Sequence, residues 1–390
     1  MTPDVLAPAT LGPVHLRNRV IKAATFEGKT PYGLVTDELI DFHTSVGRGG
    51  VGMTTVAYLA VAPEGRTHKE VIVVGEDSRP GLVRLVDAVH DTGAKISAQM
   101  GHAGPVANGR SNGVHALASS AMPSPLSMQM IKTASKTDLA RITKAYVTAA
   151  RTLVEVGFDA LEIHMAHSYL ISSFLAPGLN RRKDDYGGTT DNRVRLARQV
   201  VDAVKNEVGD SVAVYAKMSL SDGFPGGVST DLGLEYAKIL ESDGYLDAIQ
   251  MSGGSSLMNP MYLFRGGAPR EEFAANMPFV VKHGMKVMGK KFFKEYPFTE
   301  AYFKEKALAW RAELSTPLML LGGINELETM QQAMADDFQY VAMARALLRE
   351  PDLIARYTAG QAKDGICIHC NRCMPTIYVP GGTYCPEIPA

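Results

Sequence analysis

The first 366 residues of this 390-residue chain contain no cysteine. A disulfide framework across the body of the protein is thereby excluded. A surplus of one charge is also missing: 40 basic residues stand against 41 acidic ones, for a net charge of −1. That balance argues against a general binder of nucleic acid or another polyanion. No apolar run approaches the ~20 residues that span a membrane. The opening stretch, Met1 to Val20, lacks a basic segment followed by an apolar one, so no leader is expected. The expectation is a soluble, cytoplasmic protein that works on a small molecule, with homo-oligomerisation left open.

What the chain does have is core. It is 46% hydrophobic and 21% charged, an ordinary globular composition. Apolar, β-rich segments alternate with segments of helical period. The first four strand candidates are "VIKAATF" from Val20, "VGMTTVAYLA" from Val51, "KISAQMGH" from Lys95 and "ALEIHMAH" from Ala160. Four more follow: "VAVYAKMSL" from Val212, "DAIQMSGG" from Asp247, "PLMLLGGI" from Pro317 and "YVAMARALL" from Tyr340. Amphipathic stretches lie between them, such as "TDLARITKAYVTAARTLVEVG", with Thr137 or Asp138 as its expected N-cap and glycine at its end. Near-continuous apolar strands imply a parallel sheet covered by helices. Eight strand–helix units imply a (β/α)₈ barrel. The surplus length falls in loops 103–136 and 255–299, and no linker precedes residue 363. The expected division is a barrel over 1–363 and a cysteine-bearing tail over 364–390.

"GRGGVG", Gly47 to Gly52, fits the G-x-G-x-x-G dinucleotide pattern. That pattern must follow a strand and open a helix. Here it closes a helix and opens a strand, so a helix C-cap and tight turn is the better reading.

Barrel active sites form at the C-terminal ends of the strands. Those ends carry Ala24, Thr25 and Phe26, then Tyr58, then Gln99 and His102, then His164, His167 and Tyr169. Further on come Lys217, Ser252, the pair Gly322 and Gly323, and finally Ala344 and Arg345. Two glycines after the seventh strand and an arginine after the eighth suit a phosphate. A buried Lys217 needs an anionic partner or an electron-rich cofactor. Two neutral imidazoles can present N–H groups to one carbonyl oxygen, and Tyr169 can supply a proton. On spacing alone, zinc binding through H-x-x-H and simple core packing stay open.

Three stretches carry a resemblance: "LRNRVIKAAT", "FDALEIHMAHSYLISSFLAPGLNRRKDDYGGTTDNRVR" and "LLGGIN…VAMARALLREPDL". They resemble the old yellow enzyme family of FMN-dependent ene-reductases. Within it they are most similar to the bacterial branch that includes the barrel domain of 2,4-dienoyl-CoA reductase. The resemblance runs from Asn18 to Leu353. It implies FMN at the barrel mouth and ping-pong hydride transfer from NAD(P)H to the C=C bond of an α,β-unsaturated carbonyl compound. His164 and His167 would hold the carbonyl oxygen and Tyr169 would protonate Cα. Ala24, Thr25, Phe26, Tyr58 and Gln99 would contact the isoalloxazine ring, and Lys217 would lie beside its N1 and O2. Gly322, Gly323, Ala344 and Arg345 would hold the phosphate.

The chain departs from the family at several points. Phe26 stands where a Thr or Cys often touches flavin O4. "GHAGPVANGR" replaces the usual "HAGR". The 255–299 loop is long, and its Met and aromatic residues can wall a pocket or form a surface excursion. The tail cysteines Cys367, Cys370, Cys373 and Cys385 follow C-x₂-C-x₂-C-x₁₁-C, where the branch places an iron–sulfur cluster with one more residue between the second and third. A [4Fe–4S] cluster, zinc or bare thiols are the options at these four. Three rival functions are an FMN-dependent dehydrogenase or demethylase of the same superfamily, a non-flavin zinc hydrolase, and a flavin-binding redox partner without turnover of its own.

Overall fold

The computed structural model describes residues 3–275, 293–379 and 381–388. Its centre is an eight-stranded, all-parallel closed barrel. The strands are β1 (Val20–Lys22), β2 (Met53–Ala60), β3 (Lys95–Gly101) and β4 (Ala160–Met165), then β5 (Ala213–Ser221), β6 (Ala248–Gly253), β7 (Leu318–Leu321) and β8 (Tyr340–Met343). They pair in sequence order, and Val341 of β8 lies opposite Val20 of β1 to close the ring. All eight expected segments form strands.

Two of them stop early. The first ends at Lys22, before Ala24. The last ends at Met343, because Ala344 leaves the extended region and Arg345 opens a short helix, Arg345–Arg349. Apolar runs alone do not separate a buried strand from a buried helix.

Helices α1 (Asp37–Arg48), α2 (Arg79–His90), α3 (Lys136–Glu155), α4 (Thr190–Val208), α5 (Thr230–Asp243), α6 (Lys304–Arg311) and α7 (Leu327–Ala335) follow the first seven strands. The N-cap of α3 is Ser135, not Thr137 or Asp138. The Ser135 side chain accepts from the Asp138 amide, and the Asp138 carboxylate accepts from the Ser135 amide at 2.9 Å. Asp138 is therefore the third-position half of a capping box rather than the cap itself. The "GRGGVG" stretch closes α1 and leads into β2, as expected. A Cβ on Gly49 would fall 1.7 Å from the Pro351 carbonyl oxygen, so close packing requires the glycine there.

One end of the barrel is plugged. A hairpin of Ala9–Leu11 and Val14–Leu16 packs Leu11, Val14 and Leu16 against Ile21, Met53, Ala160, Ala213, Tyr215, Ala248, Met319 and Tyr340. Most of these stand at the first residues of their strands, so the hairpin covers the N-terminal floor. The C-terminal mouth is left for chemistry.

Loop 103–136 folds into a small three-stranded sheet of Leu117–Ala118, Met122–Pro123 and Met130–Thr133. In loop 255–299, residues 276–292 lie outside the described residues, so the pocket-wall expectation for that stretch does too. The tail turns back onto the barrel. Thr383 donates its amide to the Glu27 carbonyl at 2.6 Å and its hydroxyl to the Phe26 carbonyl at 2.6 Å. No helix among the described residues is long and apolar enough to cross a membrane.

Candidate active site

Strand alternation puts Glu162 and His164 of β4 on one face, and both are buried. Just beyond the strand, His167 and Ser168 adopt positive φ angles of 62° and 63°. Non-glycine residues rarely take this conformation, and it clusters at functional sites. Its effect here is to fold the chain back over the mouth. The His164 and His167 ring centroids lie 5.1 Å apart, and the Tyr169 ring stands edge-on to His164 at 4.4 Å. Tyr58 of β2 packs edge-on to Tyr169 at 5.4 Å. The sequence reading brought these four residues to one mouth, and the structure does so too.

Burial favours the neutral form of both imidazoles. Burial is the main cause that holds His164 well below the usual histidine range, with the His167 and Lys217 charges adding to it. Burial, then Lys217, pushes His167 down to about 3. A neutral imidazole can donate one N–H without bringing a buried charge. The His167 Nε2 lies 2.8 Å from the Ser252 hydroxyl at the end of β6. The Nδ1 of His164 is buried without a hydrogen-bond partner.

Below the rings lies a carboxylate. Lys217 of β5 pairs with Glu162 at 2.8 Å, both almost fully buried. The Gln99 side-chain amide of β3 also donates to Glu162. Of the two ways of satisfying Lys217, the structure therefore supplies the anionic partner. The remaining Glu162 oxygen, Oε2, is buried and unpartnered, as are Ser219 Oγ of β5 and Gln250 Oε1 of β6. Such atoms are costly unless something completes them.

The segment expected to face a flavin after β1 is tied down from beneath. Ala24, Thr25 and Phe26 are half-buried. The next residue, Glu27, takes Lys22 at 3.1 Å and the Ala57 amide at 3.2 Å on Oε1, with His43 at 3.4 Å. That carboxylate locks the strand-one loop to β2 beside Tyr58. The Tyr58 hydroxyl donates to the Gly65 carbonyl, and burial, with Tyr169 second, raises its pKa well above the ordinary value.

The far side of the mouth is rich in arginine. Arg345 donates to the Arg265 carbonyl at 3.1 Å and to the Asn371 side-chain oxygen. The Arg265 guanidinium lies over the rings of Tyr302 at 5.1 Å and Tyr262 at 5.2 Å, and its Nε is buried without a partner. Gly322 and Gly323 have φ of 124° and 72° and press against Phe303 and Tyr302. A Cβ at Gly323 would come within 2.5 Å of the Tyr302 ring. Glycine is thus required here by the aromatic wall, a reason beyond the approach of an anion. Ala344 caps the short helix that Arg345 opens.

The NADH:flavin oxidoreductase / NADH oxidase family matches residues 4–242 of this chain. This chain belongs to the old yellow enzyme family. It is 51% identical over 384 residues to 4,4'-dithiodibutanoate disulfide reductase of Rhodococcus erythropolis, covering 98% of this chain and 95% of that one. It is 30% identical over 380 residues to a metal reductase of Desulforamulus reducens, covering 96% of this chain and 52% of that one. The chain therefore spans about half the length of the second relative. The old yellow enzyme homologue of Zymomonas mobilis has the same fold, with a TM-score of 0.75 at 21% identity over 99% of this chain and 98% of that one.

Members of this family are FMN oxidoreductases, and the residues present fit that cofactor. Unpartnered buried polar atoms line the inner strands, and two guanidiniums without a carboxylate partner among the described residues face the aromatic wall. Gln99, Lys217 and the Ala24–Phe26 and Tyr58 segments would hold the ring, and Arg345 with Arg265 would hold the phosphate. Sequence reasoning missed Arg265, Ser252 as a histidine partner, and Glu27. Of these only Ser252 had left a signal, as one of the strand-end residues.

No disulfide joins the four cysteines of the tail. All four line one cavity of about 20 Å³ together with Arg345, His369 and Asn371. Burial pushes the Cys373 thiol up to about 12 and raises that of Cys367. Among the described residues, no group of three or more His, Cys, Asp or Glu has the arrangement of a metal site. The cysteines are brought together, but not in coordinating geometry.

Proposed function

We infer that this protein is an FMN-dependent NAD(P)H oxidoreductase that reduces the C=C bond of α,β-unsaturated carbonyl compounds. The observation that carries this reading is the meeting of two imidazoles and a phenol at one strand end. FMN, when bound, supplies hydride transfer between NAD(P)H and the substrate. The chain's own residues do the rest. His164 and His167 donate N–H groups to the substrate carbonyl oxygen and hold the negative charge that develops there. Tyr169, packed on His164, gives the proton to Cα. Ser252 fixes the ring orientation of His167. The Glu162–Lys217 pair and Gln99 form a polar floor whose charges balance.

A second reading has its own support: 51% identity, over nearly the full length of both chains, to a disulfide reductase. In that reaction a hydride equivalent would break the S–S bond, one sulfur leaving as a thiol and the other as a thiolate that Tyr169 protonates. Both readings use one pocket. A steady-state assay of NAD(P)H oxidation with 2-cyclohexenone and with 4,4'-dithiodibutanoate separates them. Turnover of the enone supports the first reading; oxidation driven by the disulfide alone sinks it. The tail cysteines, gathered around one cavity, are proposed as a site for [4Fe–4S] or zinc whose binding would draw the four thiols into coordinating geometry, and no step of the reaction is routed through them. Iron, sulfide and zinc content per chain tests that assignment.

A further inference from the structure

The tail does more than end the chain. Asn371, between Cys370 and Cys373, is 1% exposed and has a φ of 60°. Its side chain is fully used. Oδ1 accepts from Arg345. Nδ2 donates to the Phe264 carbonyl at 2.6 Å and the Gly267 carbonyl at 2.8 Å, with the Arg265 carbonyl at 3.4 Å. One amide thus holds the arginine after β8 and the turn that carries Arg265. The surrounding backbone repeats the bond. Gly267 donates to the His369 carbonyl at 3.1 Å, and a Cβ on Gly266 would fall 2.1 Å from that same oxygen. The His369 ring stacks on Phe298 at 3.5 Å.

Arg345 and Arg265 both approach Tyr302. Two guanidiniums held this close repel unless an anion joins them. Some rigid element must fix both while that anion is absent. A neutral amide can do so without neutralising either charge, which leaves both available to a phosphate.

We propose that Asn371 is a positioning residue of the FMN phosphate site, so that the cysteine tail is part of the cofactor cradle. The proposal rests on the reading of Arg345 as a phosphate ligand. It concerns binding, not the chemical step: Asn371 sets where Arg345 and Arg265 stand before FMN arrives.

The test compares FMN with riboflavin, which lacks the phosphate. Asn371→Gly keeps the backbone conformation and removes the amide; Asn371→Asp keeps the shape and guards against a folding failure in the first variant. Flavin release from the purified full chain on dilution is read by fluorescence, and rebinding gives the two dissociation constants. The expected result is FMN affinity lower by roughly 10- to 100-fold, with riboflavin affinity unchanged. Unchanged FMN affinity in both variants overturns the proposal. So does an equal loss for FMN and riboflavin, which marks a structural role only. Arg345→Ala separates the two layers. If wild type binds riboflavin as tightly as FMN, the phosphate reading of Arg345 falls, and the proposal with it. If Arg345→Ala abolishes the preference for FMN while both Asn371 variants keep it, the proposal alone falls.

Discussion

Replacing Glu162 by Gln removes one charge and almost no volume. Glu162 is fully buried and accepts from the Lys217 ammonium at 2.8 Å and from the Gln99 amide. In the variant the ammonium stays buried without its counter-ion, and the new amide N–H₂ takes the place of the unpartnered Oε2 without gaining an acceptor. Breaking one partner of a buried ion pair costs about 3–5 kcal/mol, a large share of the ~5–15 kcal/mol that keeps a domain folded. Denaturant melts of the purified chain should show that loss. The double variant Glu162→Gln/Lys217→Met should recover part of it, because the orphaned charge is gone. A Glu162→Gln melt within ~0.5 kcal/mol of wild type would refute the reasoning. So would a double variant whose loss equals the sum of the single losses.

Three further outcomes are expected. Tyr169→Phe keeps the ring contacts with His164 and Tyr58 but removes the proton, so substrate reduction slows by about 10²–10⁴-fold while flavin reduction by NAD(P)H is nearly intact; stopped-flow traces showing equal loss in both half-reactions count against the donor role. Ser252→Ala frees His167 Nε2 and should weaken phenols that mimic an enolate by about five- to tenfold, with FMN content unchanged; unaltered phenol affinity in a flavin-absorbance titration removes Ser252 from the site. Acid should unfold the protein through its buried imidazoles: an unfolded histidine titrates near ~6.5, whereas His167 is held at about 3 and His369 at about 4, with His164 and His43 also lowered. The unfolded chain then binds the extra protons, so this stability is complete above about pH 6.5 and is lost as pH falls towards the folded values, by up to ~1.4 kcal/mol per pH unit for each group. Melts at about pH 8 and about pH 5 that coincide would contradict it.

The barrel was legible because its strands are buried on both faces and therefore read as unbroken apolar runs. The same feature blurred their ends: the apolar character of "VIKAATF" and "YVAMARALL" continues past the last strand residues, Lys22 and Met343. His164, His167 and Tyr169 were readable because one motif holds them within six residues. The left-handed backbone at His167 and Ser168, which makes the three rings meet, was not, since neither residue is a glycine. Contacts between distant loops left no local trace. Arg345 meets Arg265 across 80 residues, and Thr383 meets Phe26 across 357. Glu27 was invisible for a related reason: its partners His43 and Ala57 belong to a different helix and a different strand.

Plugging the floor with Leu11, Val14 and Leu16 makes the barrel a cul-de-sac. A guest can enter or leave only past whatever sits nearer the opening. In the proposed reaction nicotinamide and oxidant would have no opposite doors to use, so each would obstruct the other's passage. Crowding the vessel with either one would then slow traffic of its counterpart.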